Sequence, residues 1–326
     1  MPRPLDSLWR TDIRDAIVTF VSADYRSTIL IAAGDVSAEF PAKDRLAPGL
    51  LEQANLRAPD IVRDAAVRFL DGGADILVTL TDGANEVAKA EWLDSGELTA
   101  EQVIAMNRRG VELCRDAVDA RRGSAAFVFG AIGPVEALMT LGEISADALR
   151  SAYAMQAEAL VTGGADAVFC RSFTEIQTLR LAVEAVKKVA KVPVIGSMTF
   201  DAGADYTETV MGVSVPSACA ELVAAGVDGV GCDRSTFPDS AASVVSLLHD
   251  SCDLPIWVEV NAGQPEFGES SPTYPETPEQ FAARLEPLAV AGARFIGGGL
   301  GVTAAHIAAL AAARDRYLQK AKRRDP

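Results

Sequence analysis

Short apolar runs alternate with longer amphipathic, alanine-rich stretches along most of the chain. Four of the amphipathic stretches end at a glycine, and an apolar run follows at once, at residues 72–75, 163–166, 225–228 and 291–294. Glycine is favoured just after a helix because it adopts a left-handed conformation without a steric penalty from Cβ. The pattern therefore predicts four helices that end at these glycines, each followed by a buried strand.

Four further apolar runs bring the predicted strands to eight. In two of them a proline, Pro193 or Pro255, stands near the start of the run, where its missing N–H costs the sheet least. The predicted strands are 27–33, 76–79, 125–132, 167–170, 192–195, 229–232, 254–257 and 295–298. The predicted helices are 58–70, 99–121, 145–162, 175–189, 214–225, 240–249, 278–291 and 304–320.

Eight steps of strand followed by helix predict an α/β fold of the (β/α)8 TIM-barrel class. An open, doubly wound parallel sheet is the alternative, but no glycine-rich nucleotide-binding loop follows the first strand. The chain shows no linker and no break in composition, so we expect residues 1–326 to form a single domain. Its 326 residues suffice for such a barrel, which typically needs about 250.

Charge and composition narrow the classes of partner. The net charge of −15 disfavours nucleic acid and anionic membrane surfaces, and a small molecule is the expected ligand. The sequence contains no apolar segment of membrane-spanning length and no signal peptide at its start. Five scattered cysteines without a CxxC motif are typical of a reducing compartment. We therefore expect a cytoplasmic protein, and the sequence leaves open whether it forms a homo-oligomer.

In a barrel of this class the functional site is built where the strands end and the following loops begin. The loop over residues 261–278, rich in proline and glycine, is the longest candidate at that face. The candidate site residues, in chain order, are Asp35, Asp82, Arg171, Ser172, Asp233, Arg234, Glu259, Asn261, Gly298 and Gly299.

These residue types indicate two kinds of chemistry. Asp82, Asp233 and Glu259 are candidates for general acid–base catalysis, provided that they are partly shielded from water. Arg171 and Arg234 could bind a carboxylate or phosphate of a substrate, or could instead form a ring of salt bridges with Asp82 and Asp233. The remaining candidates, namely Asp35, Ser172, Asn261, Gly298 and Gly299, are expected to contact the substrate.

The order and spacing of several segments resemble the homocysteine S-methyltransferase family, which includes domains of cobalamin-dependent methionine synthase and corrinoid-linked methyltransferases. Gly130–Pro134 is similar to the family's G-S-I-G-P turn, and Asn261–Pro265 is similar to its N-A-G-x-P segment. The other matching segments are 55–75, 193–200, 211–213, 274–278 and 296–307. The resemblance implies a (β/α)8 barrel and a methyltransferase.

The same resemblance implies a zinc ion held by three cysteines, and this chain departs from that pattern. Arg234, Gly299 and Leu300 stand at the three cysteine positions. The family's acidic residue after the fourth strand, which holds an amino acid substrate, corresponds to Arg171. We therefore predict no metal site and an anionic substrate. The alternative is a relocated zinc site built from Cys232 with Asp233, Glu259, Asp35 or Cys170.

The sequence predicts a methyltransferase-like enzyme that has lost the zinc–thiolate site. It would transfer a methyl group to or from an anionic substrate, and the resemblance implies a corrinoid protein as a candidate partner. A zinc-free lyase or isomerase acting on a small carboxylate or phosphate is one alternative. A binding barrel without catalytic activity is the other.

Overall fold

The computed structural model describes residues 28–40, 51–87, 99–121, 126–135, 142, 144–235, 237–268 and 272–324. Its strands are β1 Leu30–Ile31, β2 Ile76–Val78, β3 Phe127–Ile132, β4 Ala167–Phe173, β5 Val194–Met198, β6 Gly229–Ser235, β7 Ile256–Val260, β8 Glu266–Phe267, β9 Pro272–Thr273 and β10 Ala293–Gly298. Its α-helices are α1 Ala54–Arg57, α2 Pro59–Asp71, α3 Ala100–Ala120, α4 Ala146–Thr162, α5 Ile176–Val189, α6 Val215–Ala225, α7 Ala241–Ser251, α8 Pro278–Ala282, α9 Leu285–Ala291 and α10 Ala304–Arg324. Short 3-10 helices cover Val36–Glu39, Leu51–Gln53 and Pro238–Ser240.

Eight parallel strands form a closed barrel. The strand order is β1-β10-β7-β6-β5-β4-β3-β2. A parallel bridge between Ala32 and Ile76 joins β1 to β2, and the Ala33 N–H donates to the Ile76 carbonyl at 2.8 Å. The predicted (β/α)8 barrel is therefore confirmed, and the open doubly wound alternative was wrong. None of the described helices is long and apolar enough to cross a membrane.

Four aromatic rings fill the middle of the barrel, although aromatic residues make up only 6% of the chain. The Trp257 ring lies 4.4 Å from Phe169 and 5.5 Å from each of Phe129 and Phe295, measured between ring centroids. All four are almost fully buried. They fill the barrel interior, and a cavity lies among residues at the carboxyl ends of the strands.

The glycine junctions have the predicted conformation. Gly73, Gly164, Gly226 and Gly292 all have positive φ, between 81° and 120°, directly after helices. Three of these junctions place an aspartate two residues later, and each aspartate carboxylate accepts the backbone N–H of the preceding strand. The bonds are Ile31 N–H to Asp75 (2.9 Å), Val128 N–H to Asp166 (2.7 Å) and Val194 N–H to Asp228 (2.8 Å).

Each of these aspartates also pairs with a basic side chain on a surrounding helix, namely Arg314, Arg115 or Lys187. The aspartates therefore join strand to strand and sheet to helix at the amino-terminal end of the barrel. They recur at every second strand, which is the βαβα repeat that the sequence pattern indicated. At the fourth junction Arg294 replaces the aspartate, and its guanidinium donates to the Ala289 and Ala293 carbonyls instead.

The most informative differences from the predicted bounds concern one helix and two strands. The predicted helix over 278–291 is divided into α8 and α9, because Pro287 has no N–H to donate to the Ala283 carbonyl and its ring crowds that group. Strands β4 and β6 run three residues beyond their predicted ends, to Phe173 and Ser235. This extension places four candidate site residues within strand ends rather than in loops.

Removal of one of these aspartate carboxylates is expected to destabilise the barrel. Asp166→Ala leaves the Val128 N–H without its acceptor and leaves Arg115 with only the Gly164 carbonyl, which costs about 1–3 kcal/mol of unfolding free energy. The measurement is urea denaturation. Asp239→Ala is the control, because its carboxylate is 86% exposed and pairs with Arg284 at the surface, so its loss should cost no more than about 1 kcal/mol. Equal effects of the two changes would contradict this role.

Candidate functional site

Two neighbouring features of the strand ends shape the site. Strands β4 and β6 each contain an irregularity in register near their carboxyl ends, between Cys170 and Phe173 and between Asp233 and Ser235. Ser172 and Arg234 lie in these irregularities with φ of 66° and 50°, a left-handed conformation that is rare for residues other than glycine. Such bulges re-aim side chains beside functional sites.

A buried ion cluster lies at the centre of the barrel mouth. The Arg171 guanidinium donates to Asp82 through Nε at 2.5 Å and through Nη2 at 2.9 Å. Its Nη1 faces the Glu259 carboxyl at 3.1 Å and 3.3 Å. Arg171 and Glu259 are only 5% and 2% exposed. The predicted alternative of a salt bridge between Arg171 and Asp82 is therefore what the structure contains.

Asp233 completes this cluster from the neighbouring bulge. Its carboxylate accepts the backbone N–H of Ser172 at 2.9 Å and lies 3.4 Å from the Thr199 hydroxyl. Its negative charge also acts on Arg171 and on Glu259. The three predicted acid–base residues are thus brought together around one guanidinium, which pairs with Asp82 and Glu259 and is influenced by the charge of Asp233.

Burial and charge separate these carboxyl groups in acidity. Burial raises the pKa of Glu259 to about 7, since the attraction of Arg171 is partly offset by the nearby negative charge of Asp233. Burial would also raise the pKa of Asp82, but two hydrogen bonds and the charge of Arg171 outweigh it and hold that pKa below its usual range. Asp82 is consequently the ionised partner of Arg171, and Glu259 holds a proton up to near-neutral pH.

Buried amides hold the loop that carries Asp82. The side chain of Asn55 donates to the Leu80 carbonyl at 2.7 Å, and Gln156 donates to the Thr81 carbonyl at 2.8 Å. Asn107 donates to the Ala84 carbonyl at 2.6 Å. These side chains come from α1, α4 and α3, so three different helices fix the loop after β2. The position of Asp82 is therefore set before any ligand binds.

A cavity of about 180 Å³ lies beside the ion cluster, at the carboxyl ends of the strands. This volume holds several water molecules or a small organic ligand. Its described walls are Gly34, Asp35, Val36, Ser37, Leu51, Glu52, Val78, Thr79, Leu80, Asp82, Arg171, Arg234 and Leu300. Four of the predicted site residues therefore share one cavity: Asp35, Asp82, Arg171 and Arg234.

Arg234 differs from Arg171 in its partners. No described acidic residue lies within ion-pair distance of the Arg234 guanidinium, and its buried Nε has no hydrogen-bond partner among the described residues. The Asn261 side chain donates to the carbonyls of Arg234 (3.2 Å) and Ser235 (2.9 Å), which holds the bulge in place. The site thus contains one arginine that is satisfied by carboxylates and one that is available to a ligand.

Glu52 is a cavity residue that the sequence reasoning missed. It lies in the 3-10 helix Leu51–Gln53, is 7% exposed, and accepts the Gly83 N–H at 2.7 Å. Burial, together with the neighbouring charge of Asp82, raises its pKa. It could not be found by inspecting the residues after each strand, because it precedes α2 and reaches the cavity from outside the barrel.

Other predicted contacts serve the packing of the protein itself. Gly298 and Gly299 are not among the described cavity walls, and a Cβ at either position would overlap Val302 or Asn261. The Asn261 side-chain oxygen accepts the Leu300 N–H at 2.7 Å, which ties the loop after β7 to the loop after β10. Ser172 contributes its backbone N–H, while its buried hydroxyl has no partner among the described residues.

The residues at the zinc positions do not fit a zinc–thiolate centre. Arg234 brings a positive charge to the cavity wall, and a cysteine Cβ at position 299 would overlap the Asn261 amide. Burial raises the pKa of Cys170 to about 12 and raises that of Cys232 as well, so both thiols hold their protons. In the described parts of the chain no three His, Cys, Asp or Glu side chains are grouped to hold a metal ion. The described residues around Cys232, where a relocated zinc site was the alternative, form no such group either.

Comparisons with known protein sequences relate the chain to methyltransferases that act in methionine synthesis or on homocysteine. The family model of homocysteine S-methyltransferase matches residues 30–314. A methionine synthase of Mycobacterium leprae (strain TN) is 28% identical over 273 residues, which are 81% of this chain but only 22% of that protein. Homocysteine S-methyltransferase of Escherichia coli (strain K12) is 25% identical over 308 residues, 88% of this chain and 96% of that protein.

The fold comparison agrees with the sequence comparison. The crystal structure of the homocysteine methyltransferase MmuM from Escherichia coli, in its metallated form, matches with a TM-score of 0.72. The match covers 95% of this chain and 99% of that one at 22% identity. It therefore supports the same barrel architecture, with most of the side chains changed.

The ion cluster predicts a specific dependence of stability on pH. The pKa of Glu259 is about 7 in the folded protein and 4.5 without the influence of the fold. Its contribution to stability is therefore fully present below about pH 4.5 and is lost as the pH rises to about 7. The loss is about 3 kcal/mol. We expect Glu259→Gln, which cannot ionise, to abolish this loss in urea denaturation curves recorded across that range. Parallel pH profiles of the two proteins would contradict the assignment.

Proposed function

The chain belongs to the homocysteine S-methyltransferase family, and on that premise we propose that it is a methyltransferase-type enzyme that works on a small anionic substrate without the family's zinc–thiolate site. The observation that carries the proposal is Arg234. It stands at a position where the resemblance implies a zinc-binding cysteine, it lines the cavity, and its Nε has no partner among the described residues.

The charge of Arg234 favours an anion over a metal ion. A guanidinium repels a divalent cation and binds carboxylate or phosphate oxygens through directed hydrogen bonds. The other cavity arginine, Arg171, is already neutralised by Asp82. In this proposal Arg234 therefore anchors the substrate, and Arg171 holds the carboxylates in place.

Acid–base roles in this proposal follow from the positions of the three carboxyl groups. Asp82 is the ionised carboxylate on the cavity wall and is the group suited to accept a proton from a ligand. Glu259 and Asp233 are buried near Arg171 and act on its guanidinium. Asp35 lies on the cavity wall beside the substrate, while Ser172, Asn261, Gly298 and Gly299 give the site its shape.

A second molecule must donate or accept the methyl group. The described part of this chain carries no zinc–thiolate centre to activate a thiol. The residue that binds the substrate, Arg234, therefore does not determine which molecule donates or accepts the methyl group. A corrinoid protein, which the resemblance implies as a partner, is part of this proposal. The longer methionine synthases, of which this chain matches about a quarter, are consistent with such a partner.

Zinc binding is the first test of this proposal. Protein purified without chelator should contain far less than one zinc per chain by mass spectrometry, because the three positions offer a guanidinium, a glycine and a leucine. Added zinc should leave the melting temperature unchanged. Near-stoichiometric zinc would contradict the proposal and would restore thiol methylation as the expected reaction.

Anion binding is the second test. Small carboxylates and inorganic phosphate should raise the melting temperature of the protein at constant ionic strength, since a ligand that binds only the folded state stabilises it. Arg234→Gln should abolish this shift. Arg316→Gln, which removes the same charge from an exposed position on α10, should preserve it. Absence of a shift with every anion would contradict the anionic substrate and would favour the alternative of a binding barrel without catalytic activity.

A further inference from the structure

We propose that the cavity binds the carboxylate of a small organic acid between Arg234 and Glu52, and that Glu52 takes part as a protonated acid. This inference rests on the proposed function, because it assigns the chemical class of the anion and adds a second binding residue. Glu52 appears in none of the sequence patterns and in none of the predicted roles.

The Glu52 carboxyl group is held at the cavity wall by backbone hydrogen bonds. Its Oε1 accepts the Gly83 N–H at 2.7 Å, which anchors the carboxyl group to the loop that carries Asp82. The side chain lines the cavity and is 7% exposed, so bulk water solvates it little. An acid proton on the second oxygen can therefore donate to a ligand inside the cavity.

Arg234 stands on another wall of the same cavity. Its positive charge acts on Glu52, yet the two groups are not within ion-pair distance. A ligand carboxylate that lies between them can accept from the guanidinium with one oxygen and from the Glu52 hydroxyl with the other. Both bonds are charge-assisted, and hydrogen bonds of this kind are roughly twice as strong as neutral ones.

The surrounding charges favour the acid form of Glu52. Burial and the nearby Asp82 both oppose its ionisation, and they outweigh the hydrogen bonds from the backbone of Glu52 and Gly83 and the attraction of Arg234. An ionised Glu52 would also repel the carboxylate of the ligand. The site therefore accepts this anion only while a proton stays on Glu52.

Other ionisable groups line the same cavity or lie close to it. Asp82 is held ionised by Arg171, and both arginines stay charged at all accessible pH values. Tyr274, whose pKa is raised by burial and by Asp35, stays neutral. Glu259 lies beneath Arg171 rather than on the wall. A variant of Glu52 itself is thus needed to assign any pH dependence of binding.

The proton requirement has a measurable consequence. A carboxylate ligand is ionised above its own pKa of about 4–5. As the pH rises through the pKa of Glu52, its affinity should then fall, and the fall approaches roughly tenfold for each further pH unit. An anion that contacted arginine alone would show no such fall.

The experiment is titration calorimetry of the full chain with propionate between about pH 5 and pH 8. The wild-type protein should bind more weakly as the pH rises. Glu52→Gln keeps a neutral donor of the same shape, so most of the fall in affinity should disappear, and only the weaker effect of Glu259, which titrates near pH 7 without contacting the ligand, should remain. Glu221→Gln makes the same change at a carboxylate on α6 that pairs with Arg180 at the surface and does not line the cavity, so it should retain the wild-type pH dependence.

The outcomes separate this inference from the proposed function. If Glu52→Gln keeps the wild-type fall in affinity, or if the wild-type protein shows none, the role of Glu52 is overturned while the anion site survives. If Arg234→Gln also binds propionate as well as the wild-type protein, the anion site of the proposed function fails. Melting temperatures of both variants near that of the wild-type protein establish that loss of binding is not loss of fold.

Discussion

The mouth of the barrel depends on one buried guanidinium that pairs with two carboxyl groups and is influenced by the charge of a third. Arg171 cannot be removed without leaving Asp82, Asp233 and Glu259 buried together, and like charges at such distances are costly in a medium of low polarity. One cation does not balance three anions. The deepest group, Glu259, therefore holds a proton, and the cluster becomes an ion pair between Arg171 and Asp82 with a neutral acid below it.

The bulges in β4 and β6 follow from the same constraint. A regular strand would direct successive side chains to opposite faces of the barrel wall. The irregular turns at Ser172 and Arg234 interrupt that alternation, so that Arg171 reaches the cluster and Arg234 reaches the cavity. The left-handed conformation of these two residues is held by other parts of the site, since the Ser172 N–H is fixed by Asp233 and the Arg234 carbonyl by Asn261.

The periodicity of the sequence was sufficient to predict the barrel but not the site. Glycine junctions and apolar runs are local signals, and all eight strands lie where those signals occur. The division between α8 and α9 also has a local cause, because Pro287 lies in the first turn of α9 and has no N–H to donate to the preceding turn. The pairing of Arg171 with Asp82 joins residues 89 positions apart, and Glu52 reaches the cavity only after its short helix has packed beside the barrel. Contacts of this kind depend on tertiary structure, and no spacing rule encodes them.

Protons and arginines together can replace the charge that a metal ion would bring to such a site. In a zinc–thiolate centre the zinc ion is the positive charge that a substrate meets. Here the Arg234 guanidinium supplies a positive charge, but the carboxylates around it would cancel its effect if all of them were ionised. Burial raises the pKa of both Glu52 and Glu259, and the proton that each retains removes one negative charge from the neighbourhood of Arg234. Under the proposed function, these two protons are what would allow the site to bind an anion although the chain as a whole carries a net charge of −15.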